Sequence, residues 1–167
     1  MKKETFMSIP GIGLVVLIGV IATAVMDMWL LILSRLGVPA TDWRLVGRWV
    51  GQMAQGRFAH PSLAKAVPVR GEHPLGWLTH CGVGIACAAV LVAFAGTDWA
   101  SQPTVLPALV FGLVTVVVPL FVMQPAMGPG FAGSNSTAPV RSCVRTLANH
   151  AVFGAGLYAA AAGIAYL

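Results

Sequence analysis

Charge is what this chain has least of. Among 167 residues, 10 are Lys or Arg and 5 are Asp or Glu, so charged side chains make up 9% of the total. Soluble domains carry about 25% charged residues and need them to cover their apolar surface. With 57% hydrophobic residues and a mean hydropathy of +0.83, a soluble globular domain is excluded. Cysteine is also scarce. Cys81 and Cys87 lie six residues apart, about 240° around a helix, so they cannot bridge to each other. Cys143 falls in a loop between apolar runs, and no metal-binding cysteine spacing occurs. Small buried hydrophobes is the reading for all three. No H-E-x-x-H or G-x-S-x-G motif is present. Nor does a long polar linker divide the chain, which implies a single domain over residues 1–167.

What the chain does have is four apolar runs, at residues 9–36, 75–95, 105–123 and 147–167. A bilayer crossing needs roughly 20 apolar residues. The expected fold is therefore an all-α membrane protein, a four-helix transmembrane bundle. Lys2 and Lys3 before the first run suggest a signal peptide. That run, however, far exceeds an h-region of roughly 7–15 residues, and Asp27 interrupts the zone where a cleavage site would fall. With four spans, loops 37–74 and 124–146 share one side, together with Arg35, Arg44, Arg48, Arg57, Lys65, Arg70, Arg141 and Arg145. Only Lys2 and Lys3 lie on the other. The positive-inside rule places both loops in the cytoplasm and both termini outside, in a bacterial inner membrane. The net charge of +5 suits anionic lipid and needs no nucleic acid partner. Arg48, Arg70, Arg141 and Arg145 are the candidate contacts for lipid or another anion.

The first long loop contains its own helix. Trp43, Val46, Trp49, Val50 and Met53 recur at helical spacing, Thr41 or Asp42 can cap the start, and Gly56 can close the end. Such a helix can lie in the headgroup layer or cap the bundle.

Ionisable groups within apolar spans cost several kcal/mol unless partnered, which makes them the functional candidates. Asp27 lies roughly 12 Å above Arg35 along the first span. His80 is near the start of the second, Gln124 follows the third, and Asn149 with His150 begins the fourth. All five share a depth. Gly19, Thr23 and Asp27, then Gly76, His80 and Gly84, then His150, Gly154 and Tyr158, form stripes at intervals of four residues. Small residues on these stripes permit close helix approach and turn the polar groups inward. Asp27, His80 and His150 are also the candidate metal ligands, although interhelical hydrogen bonding alone accounts for each singly.

A short internal repeat accompanies them. Pro68-Val69-Arg70 precedes His80 and Gly84 much as Pro139-Val140-Arg141 precedes His150 and Gly154, and Val25-Met26-Asp27 parallels Val122-Met123-Gln124. Two parallel hairpins related by an axis along the membrane normal would follow, with Asp27 equivalent to Gln124. Pro119 and Pro125 should kink or end the third helix, freeing carbonyls near the polar layer. Gly128-Pro129-Gly130 cannot continue it.

The segments Ala22-Thr23 with Met26-Asp27, Val46-Gly47-Arg48-Trp49, Val69-Arg70-Gly71-Glu72, Leu75-Gly76-Trp77 with His80, Gln124-Pro125-Ala126-Met127-Gly128 and His150 with Phe153-Gly154-Ala155-Gly156 resemble the bacterial inner-membrane family known as domain of unknown function 2938. The resemblance covers nearly the whole chain. It implies a four-helix bacterial membrane protein and transfers no catalytic residue or cofactor.

Three function classes stay open. One is translocation of an ion or small solute, or proton relay, through Asp27 and the two histidines, since imidazole titrates near neutrality. Another is a membrane-embedded enzyme using the same residues as metal ligands or as acid and base. The third is a structural or assembly subunit. Four short helices make a very small pathway, so a carrier would be expected to form a homo-oligomer.

Overall fold

The computed structural model describes residues 9–166, and every regular element among them is helical. Lys2 and Lys3, which the charge asymmetry invokes, lie outside the described residues. The elements are α1 (Ile9–Arg35), α2 (Trp43–Met53), α3 (Glu72–Ala95), α4 (Thr97–Ser101), α5 (Val105–Val114), α6 (Gln124–Met127) and α7 (Pro139–Ala165). Four helices are long and apolar enough to cross a membrane: α1, α3, the run Val105–Met127, and α7. Their outward faces carry large apolar side chains such as Leu17, Leu78, Phe94, Leu106 and Val117. This is a membrane protein.

Two of the expected boundaries move. α3 begins at Glu72 rather than 75, and α7 begins at Pro139 rather than 147. Proline is well suited to the first helical turn, where its missing N–H is not needed. Arg141 and Arg145 therefore stand on α7 and not in a loop. The third span is broken, as its prolines dictate. α5 stops at Val114, a π-helical turn runs over Pro119–Met123, and α6 follows directly.

α1 packs along α3 on one side and α7 on the other, and α7 packs along α5. The order α3, α1, α7, α5 leaves one loose edge, because α3 meets α5 at only a few positions. Val15, Ile18, Ala22, Ala88, Leu91, Phe153 and Leu157 form the core between the helices. Trp99 of α4 joins it from the α3–α5 connection, its indole N–H donating to the Thr104 carbonyl at 3.1 Å.

α2 is docked on the bundle, not set apart in the headgroup layer. Asp42 caps it by accepting from the Arg44 backbone N–H at 3.1 Å. The Arg44 guanidinium, bonded to the same carboxylate, holds Asp42 below the usual carboxylate range, so the cap stays ionised at neutral pH. At the other end Gly56 adopts φ +76°, with its N–H on Met53 O and the Arg57 N–H on Gln52 O, a Schellman closure. Between the caps, Gly47 and Gly76 let α2 lie directly on α3. A Cβ on Gly47 would stand 1.8 Å from the Glu72 carbonyl, and one on Gly76 would stand 1.9 Å from the Trp43 carbonyl.

Arg48 holds the loop that follows. Nε and Nη2 donate to the two carboxylate oxygens of Glu72 at 2.8 and 2.9 Å, while Nη1 reaches the carbonyls of Leu63, Ala64 and Ala66. Glu72 in turn accepts from the Val69 N–H at 3.1 Å. The two long loops then meet where the His60 N–H donates to the Ala126 carbonyl at 2.8 Å.

Candidate functional site

α1 and α3 form a seam of small residues that ends in an acid–imidazole contact. A Cβ on Gly19 would lie 2.6 Å from Ile85 Cα, and one on Gly84 would lie 2.0 Å from Thr23 Oγ1, so the helix axes run close together. Two turns along α1 from Gly19, the same stripe presents Asp27. His80 Nε2 and Asp27 Oδ1 share a hydrogen bond of 2.9 Å. The imidazole side chain is 8% exposed and the carboxylate 28%. Trp43 of α2 stacks on the His80 ring with centroids 3.9 Å apart, and Trp77 meets its edge at 5.9 Å. The docked α2 thus acts as a cover over His80. Trp77 is itself pinned by an indole hydrogen bond to His73 Nε2 at 3.3 Å.

His150 sits in a different seam. Gly112 and Gly154 bring α5 and α7 together, a Cβ on Gly112 falling 2.7 Å from Gly154 Cα. The break after α5 leaves the Gly112 carbonyl to Thr115 Oγ1, which donates to it at 2.6 Å. His150 Nδ1 lies 2.8 Å from the same hydroxyl. Because the hydroxyl proton is engaged, Nδ1–H is the donor to Oγ1, which leaves Nε2 as the nitrogen without a partner among the described residues. Asn149, one residue earlier, faces the opposite neighbour, its Oδ1 accepting from Trp29 Nε1 at 3.0 Å.

Four of the five polar residues expected in one site are therefore distributed over three helix seams. Asp27 meets His80 between α1 and α3, Asn149 meets Trp29 between α1 and α7, and His150 meets Thr115 between α7 and α5. Asp27 and Trp29 stand two residues apart on α1, and Asn149 and His150 are adjacent on α7, so one turn of each helix carries two of these contacts. Gln124 does not join them. It lies nine residues beyond Thr115, and its Oε1 is buried without a partner among the described residues. His150 accordingly bonds Thr115 where the internal repeat would have it face Gln124.

Of the candidate metal ligands, Asp27 and His80 converge while His150 is directed to Thr115. Among the described residues no three His, Cys, Asp or Glu side chains are placed to share an ion. The candidate anion contacts divide likewise. Arg48 is 11% exposed and bonded to Glu72, and Arg145 donates to the Pro39 carbonyl at 2.5 Å. Arg70 and Arg141 are exposed. Sequence reasoning missed Trp43 as the ring over His80, Thr115 as the partner of His150, and Trp29 as the partner of Asn149. A tryptophan two residues from Asp27, and a threonine four residues before Pro119, were the signals available.

No curated protein and no solved structure matches this chain. The model of one family does, over residues 16–164, which include both glycine seams, the Asp27–His80 pair and the Thr115–His150 pair. The chain belongs to the family described as protein of unknown function, DUF2938.

Proposed function

We propose that this protein resides in the bacterial inner membrane and translocates protons or a small ion or solute, with Asp27 and His80 as the working pair. The observation that carries this reading is the 2.9 Å contact between an acid and an imidazole on two helices long enough to span a membrane. A buried acid–imidazole pair holds a proton in one charge state and releases it in another, and imidazole does so near neutral pH. His150, with Nδ1 on Thr115 and Nε2 without a partner among the described residues, is a second station. Reconstituted into liposomes loaded with a pH-sensitive dye, the protein should carry proton flux under an imposed potential. Asp27→Asn and His80→Gln should each lower it by at least about tenfold, the effect of about 1.4 kcal/mol on a barrier. Flux equal to that of empty vesicles, or unchanged in Asp27→Asn, would overturn the reading.

The orientation proposed is loops 37–74 and 124–146 in the cytoplasm. On that side the carboxylates of Asp42 and Glu72 are paired with Arg44 and Arg48, whereas Arg35, Arg57, Lys65, Arg70 and Arg141 have no ion-pair partner among the described residues. This uncompensated charge favours the cytoplasmic leaflet and its anionic lipid. A reporter fused after Leu167 is expected to read as periplasmic and one inserted at Ala66 as cytoplasmic; the reverse pattern would refute the orientation. The chain is further proposed to act as one domain and to assemble as a homo-oligomer, since four helices enclose little space. An ancient duplication of the hairpin is supported by the spacing from Pro-Val-Arg to His in each half.

A structural or assembly role is favoured by a different observation. The glycine contacts between α2 and α3, α1 and α3, and α5 and α7 put backbone against backbone and leave no channel along those seams.

A further inference from the structure

The polar pair is not closed on all sides. Asp27 uses Oδ1 for His80, while its other oxygen accepts no hydrogen bond among the described residues and the carboxylate keeps 28% of its exposure. Beside it, Trp77 remains 37% exposed, and Trp43 and Trp77 stand with ring centroids 5.7 Å apart. Cys81, the next residue after His80, is also exposed. Trp77 and Cys81 stand four residues apart on α3 and so share an exposed face of it. The His80 ring thus links a partly exposed carboxylate on α1 to the indoles of Trp43 and Trp77.

From this juxtaposition we infer that Asp27, Trp77 and Trp43 form a binding site for a lipophilic organic cation, of the aryl- or alkyl-ammonium or phosphonium class. The inference rests on the translocation reading and names its substrate class. A metal ion requires three or more donor side chains in such a setting, and only two converge here. An organic cation requires one anion to neutralise it and aromatic faces to receive its body. Its apolar substituents suit a site entered from the bilayer, where an inorganic ion would have to shed its water. The indole bond from Trp77 to His73 fixes the ring, so little side-chain freedom is lost when a ligand stacks on it.

The test is binding of tetraphenylphosphonium to the full-length protein in detergent, followed by titration calorimetry, with tetraphenylborate as the anion of the same shape. The phosphonium should bind and the borate should not. Asp27→Asn should weaken the phosphonium by about tenfold or more, as expected for loss of the carboxylate that neutralises it. Trp77→Ala should weaken it about threefold to thirtyfold, the range from an exposed to a desolvated cation–π contact, and Trp77→Phe should restore most of the loss. Size-exclusion profiles will identify any variant that fails to fold; if Asp27→Asn does, the Trp77→Ala and Trp77→Phe pair decides. Equal binding of borate and phosphonium, or phosphonium binding indifferent to both Asp27 and Trp77, would overturn the site. Proton flux that depends on Asp27 without phosphonium binding sinks this inference alone, whereas loss of both sinks the translocation reading as well.

Discussion

Replacing Gly47 with alanine should pull α2 off the bundle and lower the melting temperature in detergent by about 10 °C. The added Cβ would stand 1.8 Å from the Glu72 carbonyl oxygen and 2.6 Å from the Gly76 nitrogen. Both are backbone atoms, so no rotamer change relieves the overlap and the helix itself must shift. Overpacking a tight interface costs about 1–3 kcal/mol and more when the backbone has to move. At about 2–4 °C per kcal/mol for a chain of this size, the upper end of that range corresponds to the drop stated. Gly82→Ala on α3 is the control, because its Cβ would meet nothing within 4 Å, and it should melt within about 2 °C of the parent. The consequence reaches the site, since α2 carries Trp43 and its departure uncovers His80. A Gly47→Ala protein that melts like the parent would show that α2 is loosely attached, and the cover over His80 would lose its physical basis.

Much of this fold is legible from composition, because the bilayer leaves so few alternatives. A run of 20 apolar residues has to be a helix there, and four such runs have to pack on one another. The docking of α2 was harder to read. Its amphipathic spacing shows that it forms, but the choice between membrane surface and bundle depends on Gly47 meeting Gly76, a contact between residues 29 positions apart that no local pattern encodes. The same limit applies to the polar residues. Their depth is an expectation from counting residues along each span, and the pairs Asp27–His80, Trp29–Asn149 and Thr115–His150 are what the helix packing makes of it. Which neighbour each one faces depends on how each helix is rotated, and that is fixed by the glycine seams. Asn149 and His150 are adjacent in sequence, yet about 100° of helical rotation sends one to α1 and the other to α5. Gln124 lies nine residues beyond Thr115, the partner of His150, across Pro119 and the π turn, and bonds none of the others.

Removing Arg48 should destabilise the protein by about 2–3 kcal/mol, and removing its partner along with it should recover much of that loss. The two side chains are 11% and 15% exposed, so Arg48→Ala leaves the Glu72 carboxylate in a poorly solvated position, with the Val69 N–H as its one remaining donor among the described residues. An uncompensated buried charge is the expensive outcome, more so than the absence of the pair. The double variant Arg48→Met with Glu72→Met removes both charges and keeps the volume, so its stability should exceed that of Arg48→Ala. Arg48 has a second role that this exchange cannot restore. Its Nη1 holds the carbonyls of Leu63, Ala64 and Ala66, and no other side chain among the described residues bonds those three. Trypsin cleavage after Lys65, an exposed residue in that turn, should therefore accelerate in both variants even though only the single variant melts early. Thermal melting and proteolysis together separate the ion pair from the loop clamp. A double variant no more stable than Arg48→Ala would mean that the carbonyl bonds, and not the Glu72 pair, hold α2 and its loop in place.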